Sequence, residues 1–230
     1  MASPLATASA TGRRRGELRE GTRRRLLEFG RRAFARKGHA GANLKEDILV
    51  PARVSVGSFY HQFHDKTELF LEILRQHSET FRGMIHEAHV PRDLCEPGDL
   101  ARHSFTTVFR IAEENDDLFR IMTRERESDD PRVRAYLREN HRRWIESLAD
   151  DYRRMGMVGT GNAGNDPAEL AAELISAMTL GTILDYLDYP QEERPAMRER
   201  LIEGLVRFSL GGMIALVAAG GAAETRNDRS

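Results

Sequence analysis

Apolar positions recur at three- and four-residue spacings along most of the chain, and no convincing train of alternating strands interrupts them. Between residues 16 and 37, Leu26, Leu27, Gly30, Ala33 and Phe34 form one stripe among arginines, and Gly38 supplies a stop. "NLKE", Asn43 to Glu46, has the form of a capping box with Asn43 as cap and Glu46 three residues on. It opens a short helix carrying Leu44 and Ile48, which Pro51 should end. Ser55 caps a second short helix, and Asp65 with Glu68 repeats the cap logic ahead of "LFLEIL", a helix predicted to about residue 89. Residues 92–99 read as a loop, 99–114 and 116–126 as two helices parted near Asn115, and 129 to about 155 as another. Residues 156–165 read as a flexible linker. "DPAE", 166–169, places a cap, a proline at the first helical position and an acid at the third, and so starts the helix of 167–188. A last helix covers 192–219. The fold class this pattern predicts is all-α.

One segment asks for a reason. "VSVGSFYHQFHDKTEL" holds a helix of about eight residues, too short to be stable alone, directly before a much longer one. At 100° per residue Phe59 and Phe63 share a side and can pack with Leu44, Ile48, Val54 and the first helix's stripe. With those rings inward, Gly57, Ser58 and His61 point outward, edged by Val56 and Tyr60. That face lacks the large apolar patch a protein partner would want. It suits close entry into a DNA major groove, the second helix of a helix-turn-helix acting as reader.

Charge sharpens this picture. The net charge of −1 hides a split: residues 1–66 carry 14 Lys+Arg against 6 Asp+Glu, +8, and the remainder 21 against 30, −9. A basic front on an acidic body points to a polyanion partner for the front, while a merely solvated basic helix remains the alternative from charge alone. The opening "MASPLATASATG" has no apolar run of a signal peptide, and the single cysteine, Cys95, cannot form an internal disulfide, which favours a reducing cytoplasm. The most apolar run, residues 208–223, is Gly-rich and short for a span, so it reads as an interface helix and no membrane partner is expected.

The quoted segment resembles the signature of TetR-type (TetR/AcrR) transcriptional regulators: Val-Ser, any residue, Gly-Ser/Thr, an aromatic or Leu, Tyr, then Phe and a following Lys. "LLEFGRRAFARKG" resembles that family's first helix, with Phe34 and Gly38 in place, and the match covers roughly residues 22–71. The resemblance implies a three-helix amino-terminal DNA-binding domain joined by a long helix to a helical ligand-binding and dimerisation domain. The organisation expected is a flexible basic arm over 1–15, the DNA-binding domain over 16–64, the helical domain over 65–219 and a frayed tail over 220–230. It further implies that Ser55, Val56, Gly57, Ser58, Tyr60 and His61 meet the duplex, with Lys66 on a phosphate, Lys45 as a flanking contact, and Arg13 to Arg15 reaching along the backbone or a groove; Arg53, which departs from the family pattern, is expected to compensate by contacting a phosphate. Two departures stand out. Arg53 occupies the place of the usual turn glycine, so the turn is either left-handed, at about 1 kcal/mol, or rebuilt. From Leu44 to Ser55 there is also one residue more than the usual pattern.

The family implication extends to the body. Phe105, Phe109, Met122, Tyr136, Trp144 and Met178 are the candidate walls of a ligand cavity, against the plainer reading of ordinary core. Two greasy closing helices carry stripes through Leu170, Leu174, Met178 and Gly181 and through Leu201, Leu205, Phe208 and Gly212. Packing on a twofold copy would cover them, with Leu174, Met178, Gly181, Leu205, Phe208, Gly212 and Met213 at the interface. The function expected is a homodimeric repressor of a near-palindromic operator, relieved by a small-molecule effector. A helical enzyme or a protein-binding adaptor keeping the same head are the alternatives. No enzyme activity, cofactor or metal is expected. "GTGNAG" (Gly159 to Gly164) fits the dinucleotide pattern but follows a charged helix where a strand is needed. "HEAH" spaces its histidines three apart without a third ligand. The acidic runs "EENDD" and "ERESDDP" read as exposed helix ends with no catalytic pair.

Overall fold

The computed structural model describes residues 4–88, 96–156 and 166–227. Among them every regular element is helical: α1 (Pro4–Gly41), a π-helical turn (Leu44–Leu49), α2 (Val50–Ala52), α3 (Val56–Tyr60), α4 (Lys66–Ala88), α5 (Pro97–Glu114), α6 (Asp116–Arg124), a 3-10 turn (Glu125–Glu127), α7 (Pro131–Arg154), α8 (Pro167–Leu187) and α9 (Arg194–Asn227). α1 begins at Pro4, within the segment read as a flexible arm, and α9 runs to Asn227, through most of the expected frayed tail. The Gly159 to Gly164 stretch, Cys95 and His89 lie outside the described residues, as do the side chains of Arg13, Arg14 and Arg15.

The chain divides into two compact units, the first formed by Met1–His77 with Arg120–Tyr136, the second by Ser78–Phe119 with Leu137–Ser230. The sequence places its boundary near residue 65; the first unit also takes in the chain from α6 to the start of α7. The core of the first unit joins Leu26, Ala33 and Phe34 of α1 to Ile48, Leu49, Phe59, Phe63, Leu69 and Phe70. Phe34 and Phe70 meet edge to face at 4.8 Å. Gly30 lets α1 and α4 close up, since a Cβ there would stand 3.0 Å from Ile73 Cδ1 and 3.1 Å from Leu69 Cδ2.

The segment 120–136 is tied in through buried polar groups. Glu125 accepts the His39 amide at 2.8 Å, next to Gly38, whose left-handed φ of 72° kinks the end of α1. The Thr67 hydroxyl donates to Asp130 at 2.9 Å and lies 3.0 Å from His39 Nε2. Because that hydroxyl's proton goes to Asp130, its oxygen accepts from the ring, which fixes His39 Nε2 as protonated. Burial above all, then Lys66, lowers the His39 pKa.

In the second unit, α5, α8 and α9 pack around Phe105, Phe109, Ile175, Ile183, Tyr186, Ile202 and Leu205. Phe109 and Tyr186 stack edge to face at 5.0 Å, and the Tyr186 hydroxyl donates to Glu113, which also takes Arg198 at 3.1 Å. The α8 start is as the sequence predicts: Asp166 Oδ1 accepts the Ala168 amide at 2.9 Å, with Pro167 leading. By length and composition α8 is apolar enough to cross a membrane; Ala168, Ala171, Ala172, Ile175, Ile183, Tyr186 and Leu187, along one side of it, are buried inside the unit.

Candidate nucleic-acid interface

The candidate reading face follows a helical irregularity. Asn43 Oδ1 accepts the amides of Lys45 and Glu46, as a cap should. The return bond comes from Asp47, one residue later than the Glu46 the box pattern names: Asp47 Oδ2 accepts the Asn43 amide at 2.8 Å, and Lys37 closes on Asp47 at 2.7 Å. That hydrogen bond from Lys37 leads the effects that hold the Asp47 carboxyl below its usual range. The next turn is π-helical, the Val50 amide reaching back five residues to the Lys45 carbonyl and the Val54 amide to Leu49 at 3.0 Å. A π turn takes up one extra residue without breaking a helix. The surplus residue between Leu44 and Ser55 is absorbed there, and Ile48, Leu49, Ala52 and Val54 still face the core.

Of the two options for Arg53, the structure takes the left-handed one. Its φ and ψ are 54° and 47°, it ends α2, and its amide donates to the Val50 carbonyl at 3.1 Å. It is the sole non-glycine residue with positive φ among the described residues. The Arg53 side chain is exposed and makes no hydrogen bond or ion pair among the described residues.

α3 follows, five residues held by one buried ring. Phe59 is fully buried, and Phe63 lies 5.9 Å from it. Arg23 stacks 4.7 Å above Phe63 and pairs with Glu72 at 2.8 Å, and Gln62 donates to the Arg19 carbonyl at 3.0 Å. α1 and α4 therefore brace the far end of α3. With Phe59 pinned, Ser55, Val56, Gly57, Ser58, Tyr60 and His61 are all exposed, as is Lys45. Ser55 caps α3 by accepting the Ser58 amide at 3.1 Å, and its own proton goes to Ser58 Oγ at 2.9 Å. The Ser58 hydroxyl proton is thereby left to point outward as a donor.

Lys66 departs from expectation. Its ammonium donates to the carbonyls of Ala42 at 2.8 Å and Ala40 at 3.4 Å, and burial lowers its pKa. It satisfies carbonyls at the end of α1 and so positions the head; it is not a free cation on the reading face. Asp65 and Glu68 form the expected cap, Asp65 Oδ1 accepting the Glu68 amide at 2.8 Å, and the Glu68 carboxylate takes the His64 amide.

The second unit redistributes the other candidates. Phe105 and Phe109 are core, Trp144 and Met178 pack against that core, and Trp144 Nε1 donates to Ser176 Oγ at 2.9 Å. Met122 and Tyr136 fall in the first unit, and the other four in the second. Of the interface residues, Leu205 and Met213 are 4% and 5% exposed, already covered within one chain. Leu174 and Phe208, at 58% and 73%, are open, as are Gly181 and Gly212, while Met178 is half-buried. Leu170 extends this apolar face along α8; Ile214 is also exposed, but six residues beyond Phe208 it lies about 120° away round α9, and it carried no distinguishing signal in a helix apolar around much of its circumference.

Residues 26–73 match the family model TetR_N, bacterial regulatory proteins of the tetR family. The fold over most of the chain is similar to solved structures. A transcriptional regulator from Aquifex aeolicus is 23% identical, with a TM-score of 0.61 over 80% of this chain and 97% of that one. The fatty acid degradation regulator FadR from Bacillus halodurans is 13% identical, with a TM-score of 0.65 over 82% and 97%. AibR, in complex with isovaleryl coenzyme A and operator DNA, is 16% identical, with a TM-score of 0.58 over 80% and 96%.

Proposed function

Because its head belongs to the tetR family of bacterial regulatory proteins, we propose that this DNA-binding regulator is a cytoplasmic homodimeric repressor whose grip on a near-palindromic operator is released by a small molecule. The observation that carries the reading is the α3 face: small polar side chains turned outward by a buried Phe59, with the exposed cations Lys45 and Arg53 beside them. Cations of this kind neutralise phosphates irrespective of sequence, while the groups on α3 reach base edges.

Twofold pairing through the open faces of α8 and α9 would present two reading helices to two half-sites about one helical turn apart or somewhat more. α4 contributes residues to both units. A ligand held among the apolar residues of the second unit would act by shifting that helix, and a 100-fold loss of operator affinity needs about 2.7 kcal/mol of preference for the released state. The acyl-thioester in the AibR complex makes short acyl-coenzyme A compounds the first effectors to assay.

A salt titration of binding to mixed-sequence duplex tests the core of the reading. Affinity should fall steeply, by about a thousandfold or more for six or more phosphate contacts, between 50 and 200 mM salt. Binding that is absent, or indifferent to salt, overturns it.

A further inference from the structure

Val56 is the one aliphatic side chain in α3, and it is 50% exposed. A β-branched residue is a poor choice for an open helical position, where its methyl groups gain nothing from water. Its neighbour Gly57 is equally unexplained from within the chain. Glycine weakens a helix relative to alanine, yet Gly57 has no left-handed φ, and a Cβ built on it meets nothing within 4 Å. Neither backbone strain nor internal packing calls for glycine here. A missing Cβ does let an outside body approach the helix backbone beside Val56.

The chemistry of the face narrows what that body presents. Val56, Gly57, Ser58, Tyr60 and His61 include no guanidinium, carboxamide or carboxylate, the groups that read guanine, adenine and cytosine by bidentate or acceptor contacts. The apolar feature of a major-groove wall is the C5-methyl of thymine. Building on the DNA-binding reading above, we propose that Val56 selects the operator through the C5-methyl group of one thymine in each half-site, at an approach that Gly57 keeps open. Ser58, its proton directed outward by Ser55, supplies a donor on the same face.

The test begins with operators selected from a random duplex pool, in which each thymine is replaced singly by deoxyuridine, deleting only the methyl group. One thymine per half-site should lose about fourfold in affinity on replacement, the effect of withdrawing one methyl group from burial. In Val56→Ala the same replacement should change affinity by less than about 1.5-fold, since the partner surface is gone. Insensitivity to every replacement in the native protein overturns the proposal, as does a loss that persists undiminished in Val56→Ala. The native scan decides alone if the variant melts differently. A protein that enriches no sequence over mixed DNA overturns the operator-reading function itself, whereas an enriched operator blind to the methyl group overturns only the role of Val56.

Discussion

Among the described residues, two open surfaces differ in kind. The α3 face is small and polar, flanked by exposed Lys45 and Arg53. The face of α8 and α9 is apolar, with Phe208, Leu174 and Leu170 exposed, and open space around Gly181, Gly204, Gly211 and Gly212. The first surface needs a polyanion, and its binding should weaken with salt. The second needs another apolar surface, and the glycines allow a helix to come close, so its association should be nearly indifferent to salt. On the proposed function, unsatisfied chemistry thus separates the nucleic-acid face from the self-association face before either partner is present.

The comparison breaks most sharply at Phe208. In Phe208→Glu a carboxylate enters the centre of the apolar face, where desolvation costs on the order of 3 kcal/mol for each copy. Sedimentation should show the native protein as a dimer and the variant as a 26.1 kDa monomer, with the unfolding of the single chain little altered. Leu205→Ala is the contrast. Leu205 is core within the chain, so the substitution should lower folding stability by about 2–5 kcal/mol without a specific effect on association. A Phe208→Glu protein that still pairs would remove α9 from the interface.

A smaller effect sharpens the polar side of the comparison. Ser55→Ala deletes the cap on the Ser58 amide and should cost about 1 kcal/mol of stability, read from denaturant unfolding. It also frees the Ser58 hydroxyl from its fixed direction, so discrimination among selected operators should flatten while binding to mixed-sequence DNA holds. Equal loss on both kinds of duplex would mean that Ser58 carries no sequence information.

What the sequence revealed, and what it hid, divides by physical cause. Helices with a regular apolar period and a strong start were legible: the caps at Asp65 and Asp166 are where the pattern puts them. The inward Phe59 and Phe63 and the outward Ser58 and His61 followed from 100° geometry. The π turn left only an arithmetical trace, one surplus residue, because five-residue hydrogen bonds impose no polar–apolar signature of their own. The bonds of Lys66 were hidden because its partner carbonyls, at Ala40 and Ala42, come from 24 to 26 positions earlier in the chain. Leu205 and Met213 were placed outward because a helix apolar on all sides has no phase from which to read its buried face.

The finest test sets Arg53 against Gly38, since both have a left-handed backbone, at φ 54° and 72°. Gly38 is explained inside the chain: a Cβ there would stand 3.0 Å from Glu125 Oε1. Arg53 has no such internal reason, and the strain of a non-glycine residue in this region is about 1 kcal/mol. Strain retained at an exposed cation beside the reading helix points to a partner that uses the cation. Arg53→Gly should therefore have effects of opposite sign. Folding stability should rise by up to about 1 kcal/mol as the backbone relaxes. Affinity for any duplex should fall a few-fold, and the slope of log affinity against log salt should shrink by about 0.9, the share of one phosphate. An unchanged salt slope would confine Arg53 to the turn. A loss of both stability and affinity would show that its side chain supports the fold, and that the left-handed turn does not favour glycine.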